Sequence, residues 1–518
     1  MAYIVEQKIK DRIYLYEVYS YWDKEKKQAR QKRKYIGPKD TKKKNKTKLI
    51  KSDIVHKNYG NIFLLTQLVE QIGLKNICAD SYPEHYKELL ALAYYQIIEN
   101  RPLYLFHYWL DETYLLGVKK MDSSAISKFC DEIGRSQHQR YVFLEQWISH
   151  LQPVNALYYD ITSVSSFSTQ VDFVEWGYNR DGESLPQLNI GVVFCNKRSL
   201  PIFYSLYPGS IVDVKTLTNC VKYLKALGLQ DFMFVLDRGF FSTDNIKGMD
   251  GNENRQAVKF IQPLPLSLGK TKELIKTHRK FLRDIRSNFT FNNELLSHVG
   301  SALQLGDKTF PAHIYFNEKA ELNQRQSLMK KLLEIDEKII KNKTFDSQKE
   351  AIDFKEANIE KAYRYCFRYN RSSGKLVRDN AYVKARISKF GFFTLLTNNE
   401  SLGRDEILTN YRNKDQVEKV FDLLKNEMDG DRMRAHNQFN VDARLFVNFL
   451  ALIIESELIR RMRKAKLFKK YTVKELLAEL RKIKHTKVND EIIISEVSKQ
   501  QRLIFESLEI DVEKMHRY

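Results

Sequence analysis

The hydrophobic pattern changes period at Pro153, and that change restricts the possible folds more than any other feature of the 518 residues. Upstream, GNIFLLTQLVEQIGL, HYKELLALAYYQIIEN, SSAISKFCDEIG and HQRYVFLEQWISHL carry the apolar stripe of amphipathic helices. Pro83, Pro102 and Pro153 fall between or after these runs, where they end helices. Downstream, VNALYYDITS is apolar on consecutive positions and reads as a buried strand ending in Asp160. LPQLNIGVVFCN and LPIFYSLYPGS make two strands around the turn Asn196–Ser199, and VDVKTLTNCVKYLKALGL makes a helix. FMFVLDRGFFS is a strand ending in Asp237, and a further helix and strand (AVKFIQPL) follow. The order β, β-hairpin, α, β, α, β requires a mixed sheet with flanking helices, an α/β fold.

The flanks differ. IYLYEVYSYW alternates as strands do, and KEKKQARQKRKYIG adds a charged turn and a return strand. Fourteen Lys or Arg stand against two acids between Lys24 and Lys51, which suits contact with phosphates without sequence readout. From about 263 to 395 the pattern mixes strands with a long charged helical stretch, and it interrupts the sheet-and-helix region rather than following it. The last proline is Pro311, so everything beyond it is free to be helical. The end of the chain, from NVDARLFVNFLALIIESELIRRMRK onward, reads as an apolar helix that becomes strongly basic.

Charge narrows the partner. A formal charge of +21, from 86 Lys and Arg against 65 Asp and Glu, favours a polyanion. A membrane is disfavoured, because the run Leu445–Ile454 is half of the ~20 residues a span needs. The N-terminus MAYIVEQKIKDRIY places charges where a signal peptide needs its apolar region. Five scattered cysteines without a CxxC pair fit neither a zinc site nor a disulfide framework, and suit a reducing cytosol.

A carboxylate at the end of an apolar strand is costly to bury unless it is exposed at the sheet's edge or engaged by a cation. Adjacent strands bring Asp160 and Asp237 together, and like charges that close need a divalent metal or a shared proton between them. Oxygen ligands without a His or Cys set point to Mg²⁺ or Mn²⁺. Farther on, YRNKDQVEKVFDLLK placed on a helix puts Tyr411, Lys414, Glu418 and Lys425 within an arc of roughly 60°. One acid among two bases and a phenol suits a long polyanion, although an amphipathic surface helix with i,i+4 charge pairs has the same pattern. Asp415 and Asp422 lie only slightly off that stripe, so geometry leaves the choice of acid open.

YYDITS, the long hairpin GYNRDGESLPQLNIGVVF…LPIFYSLYPGSIVDVKTL, VLDRGFFS and Y-x2-K-x3-E-x6-K together resemble the insertion-sequence DDE transposases with a Tyr–Arg–Glu–Lys signature. The resemblance covers roughly 155–262 and 390–450 well. It implies an RNase H-like core with an Asp, Asp, Glu triad that holds metal, here Asp160, Asp237 and Glu418, and it makes the choice of Glu418 over its neighbours. It implies Mg²⁺ (or Mn²⁺), two ions, and positions Tyr411, Lys414 and Lys425 on DNA. Lys414 stands where the family has arginine, a point charge in place of a bidentate fork. The implied partners are double-stranded DNA, as transposon ends and target, and a second copy in a synaptic homodimer. The implied location is the bacterial cytoplasm, with the nucleoid when DNA is bound.

The expected division is a basic β-hairpin arm (1–55), a helical DNA-binding domain (56–150), the core's first part (151–262), an insertion (263–395), the core's second part with the Glu helix (396–460) and a basic helical tail (461–518). The activity implied is metal-dependent phosphodiester hydrolysis and strand transfer at terminal inverted repeats. A nuclease without strand transfer and an inactive, domesticated DNA-binding protein are the alternatives.

Overall fold

A computed structural model describes residues 2–10, 12–39, 54–166, 168, 170–177, 185–211, 213–251, 257–414, 437–488 and 491–517. The chain forms two units, one of residues 1–55 with 486–493 and one of 56–485 with 494–518.

In the first unit, β1 (Ala2–Ile9), β2 (Arg12–Asp23) and β3 (Gln28–Pro38) form an antiparallel sheet in that order. The strands expected within residues 1–20 and the return strand after the charged turn thus make a three-stranded sheet, one strand more than a hairpin. Tyr16 sits opposite Val5 on one side and Tyr35 on the other. Val18 is the buried hydrophobic side chain here, while Tyr3, Tyr19, Tyr21, Trp22 and Tyr35 are exposed. β4 (Ile54–Asn58) carries the chain into the second unit.

The second unit begins with helices α1 (Gly60–Gln71), α2 (Leu74–Ser81), α3 (Tyr86–Glu99), α4 (Phe106–Asp111), α5 (Ser123–Arg135) and α6 (Gln137–Leu151). Then come β5 (Ala156–Ser165), β6 (Gln187–Cys195), β7 (Leu200–Pro208), α7 (Asp213–Ala226), β8 (Met233–Val235), α8 (Thr243–Asp250) and β9 (Lys259–Pro263). After α9 (Gly269–Leu282), strands β10 (Asn288–Phe291), β11 (Glu294–Leu305) and β12 (Lys308–Phe316) follow. α10 (Glu318–Ile335), α11 (Gln348–Asn358), the hairpin β13 (Phe367–Asn370) and β14 (Lys375–Arg378), and α12 (Asn380–Ile387) precede β15 (Phe392–Thr397).

A nine-stranded mixed sheet results, in the order β10-β11-β12-β15-β9-β8-β5-β6-β7. The pairs β5–β8 and β8–β9 are parallel and the others antiparallel. The segment 263–395 therefore contributes two parts. Its strands β10, β11, β12 and β15 hydrogen-bond onto β9 and extend the sheet, covering what would be a bare edge. Residues 318–390 instead close around a small core of their own, built on Leu328, Leu332, Ile335, Phe345, Phe367 and Leu376.

Both faces of the sheet are covered, which explains the continuous apolar runs of β5 and β6. Leu157, Tyr159 and Ile161 join the core shared with α1 to α6, whereas Ala156, Tyr158 and Val164 join a second core on the opposite face. α13 (Arg404–Arg412) lies on that second face, and α14 (Gln438–Lys464) contributes to both cores. Buried on nearly every side from Val441 to Leu458, α14 binds the N-terminal helices to the sheet. Gly134 of α5 permits its closest approach, since a Cβ there would lie 1.9 Å from the Phe439 carbonyl oxygen.

The C-terminal segment is not wholly helical. Between α15 (Val473–Leu480) and α16 (Lys499–Ser507) come β16 (Lys484–Val488) and β17 (Glu491–Ile494), the latter a β-branched run. All five cysteines are free and buried, and no helix among the described residues is long and apolar enough to cross a membrane.

Candidate active site

Asp160 is not at the end of its strand. β5 continues to Ser165 because β6 pairs with it along its length, from Leu157 opposite Cys195 to Ser165 opposite Gln187. What ends near Asp160 is the parallel neighbour, whose last pair is Tyr158 with Val235. Beyond it Leu236 still donates to the Ile261 carbonyl at 3.0 Å, and Asp237 is extended (φ −86°, ψ 162°) before a short turn of helix at Arg238–Phe240. Carrying the register two residues past Tyr158–Val235 sets Asp160 and Asp237 level on neighbouring strands. Both then lie on the Tyr158 face, about 4.8 Å apart in strand spacing.

Each aspartate is held. Asp160 Oδ1 accepts the Ile161 N–H at 2.8 Å. The buried Gln262 donates from Nε2 to the Asp237 carbonyl at 2.9 Å, fixing the backbone where the strand ends. Lys414 donates from Nζ to Asp237 Oδ1 at 2.9 Å, with the lysine side chain 9% exposed and the aspartate 45%. Burial alone would raise the Asp237 pKa, but the Lys414 ammonium, aided by Arg238, holds it below the usual carboxylate value. Asp237 is therefore ionised, neutralised from behind and half open in front.

Lys414 reaches this position because α13 is anchored to the sheet. Tyr158 of β5 donates from its hydroxyl to the Asn410 carbonyl at 2.8 Å, and Tyr315 of β12 donates to the Arg404 carbonyl at 2.9 Å. Arg412 pairs with Glu294 at 2.7 Å, and the Tyr411 ring stacks on Phe393 at 6.2 Å between centroids. The helix stops at Arg412, and Lys414 follows in a turn, its N–H on the Tyr411 carbonyl at 3.2 Å. The expected stripe along one helix from Tyr411 is thus broken at its start. Tyr411 packs against the sheet while Lys414 turns to Asp237, since a buried ammonium needs its counter-charge more than the helix needs another turn. Glu418 and Lys425 lie outside the described residues.

Among the described residues, no three His, Cys, Asp or Glu side chains are grouped to hold a metal. The carboxylate pair, its buried lysine and the anchored helix fall within one sequence family. A model of the transposase DDE domain matches residues 155–454, more than half of the chain. The chain belongs to the DDE transposase family. No curated protein matches it at a significant level. Among solved structures the transposase is similar to a piggyBac transposase in a synaptic complex with hairpin DNA, at 12% identity. That match covers 82% of this chain and 70% of the other, with a TM-score of 0.34.

Sequence reading missed two parts of this candidate site. Arg238, exposed beside Asp237, was visible as the Asp-Arg pair that closes the FMFVLD strand. The Tyr158 anchor had no sequence signal, because its partner Asn410 is 252 residues away.

Proposed function

We propose that the protein is the transposase of an insertion sequence, built on an RNase H-like core, which cuts double-stranded DNA at the element's terminal inverted repeats and joins the freed ends to target DNA. The observation that carries this reading is the parallel pairing of Tyr158 with Val235, each two residues before one of the aspartates, inside the matched family span. Two carboxylates at that spacing form a hard, all-oxygen donor set, which fits Mg²⁺ or Mn²⁺, and Glu418 is the proposed third ligand. When bound, such ions supply activation of water or of a 3′-hydroxyl and stabilise the leaving oxygen.

The remaining roles belong to the chain itself. Lys414 keeps Asp237 ionised and aimed, and Gln262 and the Ile161 N–H hold the two aspartates in place. Arg238, Tyr411 and Lys425 are the proposed phosphate contacts beside the pair. The basic sheet at 1–55 and the helices of 56–150 are proposed to contact the terminal repeat, and two copies to bring two ends together. The test uses linear DNA carrying the sequences that flank the gene, with Mg²⁺ and with a chelator. Asp160→Ala and Asp237→Ala should each bind that DNA and leave it uncut. Cutting by Asp160→Ala at the unmodified rate would exclude the site, and cleavage of intact ends with no joined product from pre-cut ends would favour a plain nuclease.

A further inference from the structure

A cavity of about 190 Å³ opens between the β6–β7 turn, Asn413 and the last turns of α14. Its lining holds Arg460 and Arg463 of α14 and Asn196 of the turn beside apolar residues, and no acid. Lys197 and Arg198 stand exposed on the same turn as Asn196. Arg460 commits Nε and Nη2 to the buried Glu457 at 2.8 and 2.7 Å, which leaves its other nitrogen for a second anion. Arg463 is exposed and has no ion pair among the described residues. Ser456, 3% exposed, also lines the cavity, although its hydroxyl is closed to solvent and has no hydrogen-bond partner among the described residues.

The position is informative. Tyr158, on the cavity floor, precedes Asp160 by two residues on the same face, about 7 Å along the strand. Asn413, on its wall, adjoins the lysine that holds Asp237. DNA advances roughly 3.4 Å of axis per nucleotide, so a strand laid over the aspartates would pass this cavity about two nucleotides away.

We propose that this cavity seats a backbone phosphate of the DNA strand that reaches Asp160 and Asp237, with Arg463 and the uncommitted nitrogen of Arg460 supplying charge and donors. The assignment rests on the reading of the chain as a DNA-cutting transposase. Fluorescence anisotropy of a short mixed-sequence duplex with the full-length protein, across a salt series, tests it. Losing one phosphate contact in Arg463→Gln should make the salt slope shallower by about 0.9 and weaken binding about eightfold near 0.1 M salt. Arg463→Lys should restore most of both. A wild-type slope in Arg463→Gln, with DNA binding otherwise intact, overturns the phosphate seat and leaves the transposase reading standing. Inorganic phosphate that raises the melting temperature of the wild type but not of Arg463→Gln, with slopes equal, would make this a small-anion site and overturn the DNA assignment. A wild-type protein with no salt-dependent DNA binding removes the transposase reading and this one together.

Discussion

Asp237 and Lys414 illustrate how a single ion pair sets local chemistry. The pair joins residues 177 positions apart, and its lysine is nearly enclosed while its aspartate is half exposed. Lys414→Met should let the Asp237 pKa rise, because burial then acts unopposed. Depressed in the folded chain, that pKa contributes stability above the ordinary aspartate value, which is lost as pH falls through the folded value. The variant should lack this contribution at neutral pH, a loss on the order of 1 kcal/mol once solvent screening is allowed for. Urea unfolding of both proteins at neutral pH measures it. Asp160 and Asp237 stood out in the sequence as carboxylates that break apolar runs, although the strand of Asp160 continues past it to Ser165. The role of Lys414 was not, since its partner is set by the sheet and not by local spacing.

At the scale of elements, the sequence revealed which faces are apolar but not what covers them. The described helix ends at Arg412, where the sheet supplies anchors from β5, β11 and β12 that no local pattern encodes, and the rest of the helix expected from Tyr411 lies outside the described residues. Strands β11 and β12 also carry a histidine pair, His298 and His313, with ring nitrogens 3.1 Å apart. Burial, then His313 and Arg404, push His298 down to about 4, and burial lowers His313 as well. The unfolded chain takes up these protons near the ordinary histidine value while the folded chain does not. Stability should therefore fall as pH drops from about 6.5 towards 4. Melting curves over that range should show a smaller fall for His298→Phe than for the wild type. Gly134→Ala tests the helix contact, since its Cβ would meet the Phe439 carbonyl of α14. Chemical unfolding should register a loss of about 1–3 kcal/mol, as for other overpacked cores.

For the whole molecule, the two units differ in how much core each holds. The three-stranded sheet has Val18 as its buried apolar residue, whereas the nine-stranded sheet is packed on both faces. Amide hydrogen exchange should find β1 to β3 losing protection well before β5, β6 and β8, with opening that does not depend on the larger unit. The mixed α/β character was readable from the change of period at Pro153. That helices α1 to α6 share a core with a helix some three hundred residues later was not, because periodicity gives a face and never its partner. α14 also has a consequence for damaged copies of such a gene. A product truncated after β15 would keep every strand of the large sheet yet lose the helix that joins both of its cores, leaving apolar surface on each side. Such fragments should aggregate on synthesis rather than persist as competitors for DNA, so a nonsense mutation between residues 398 and 437 silences the copy without poisoning its intact neighbours.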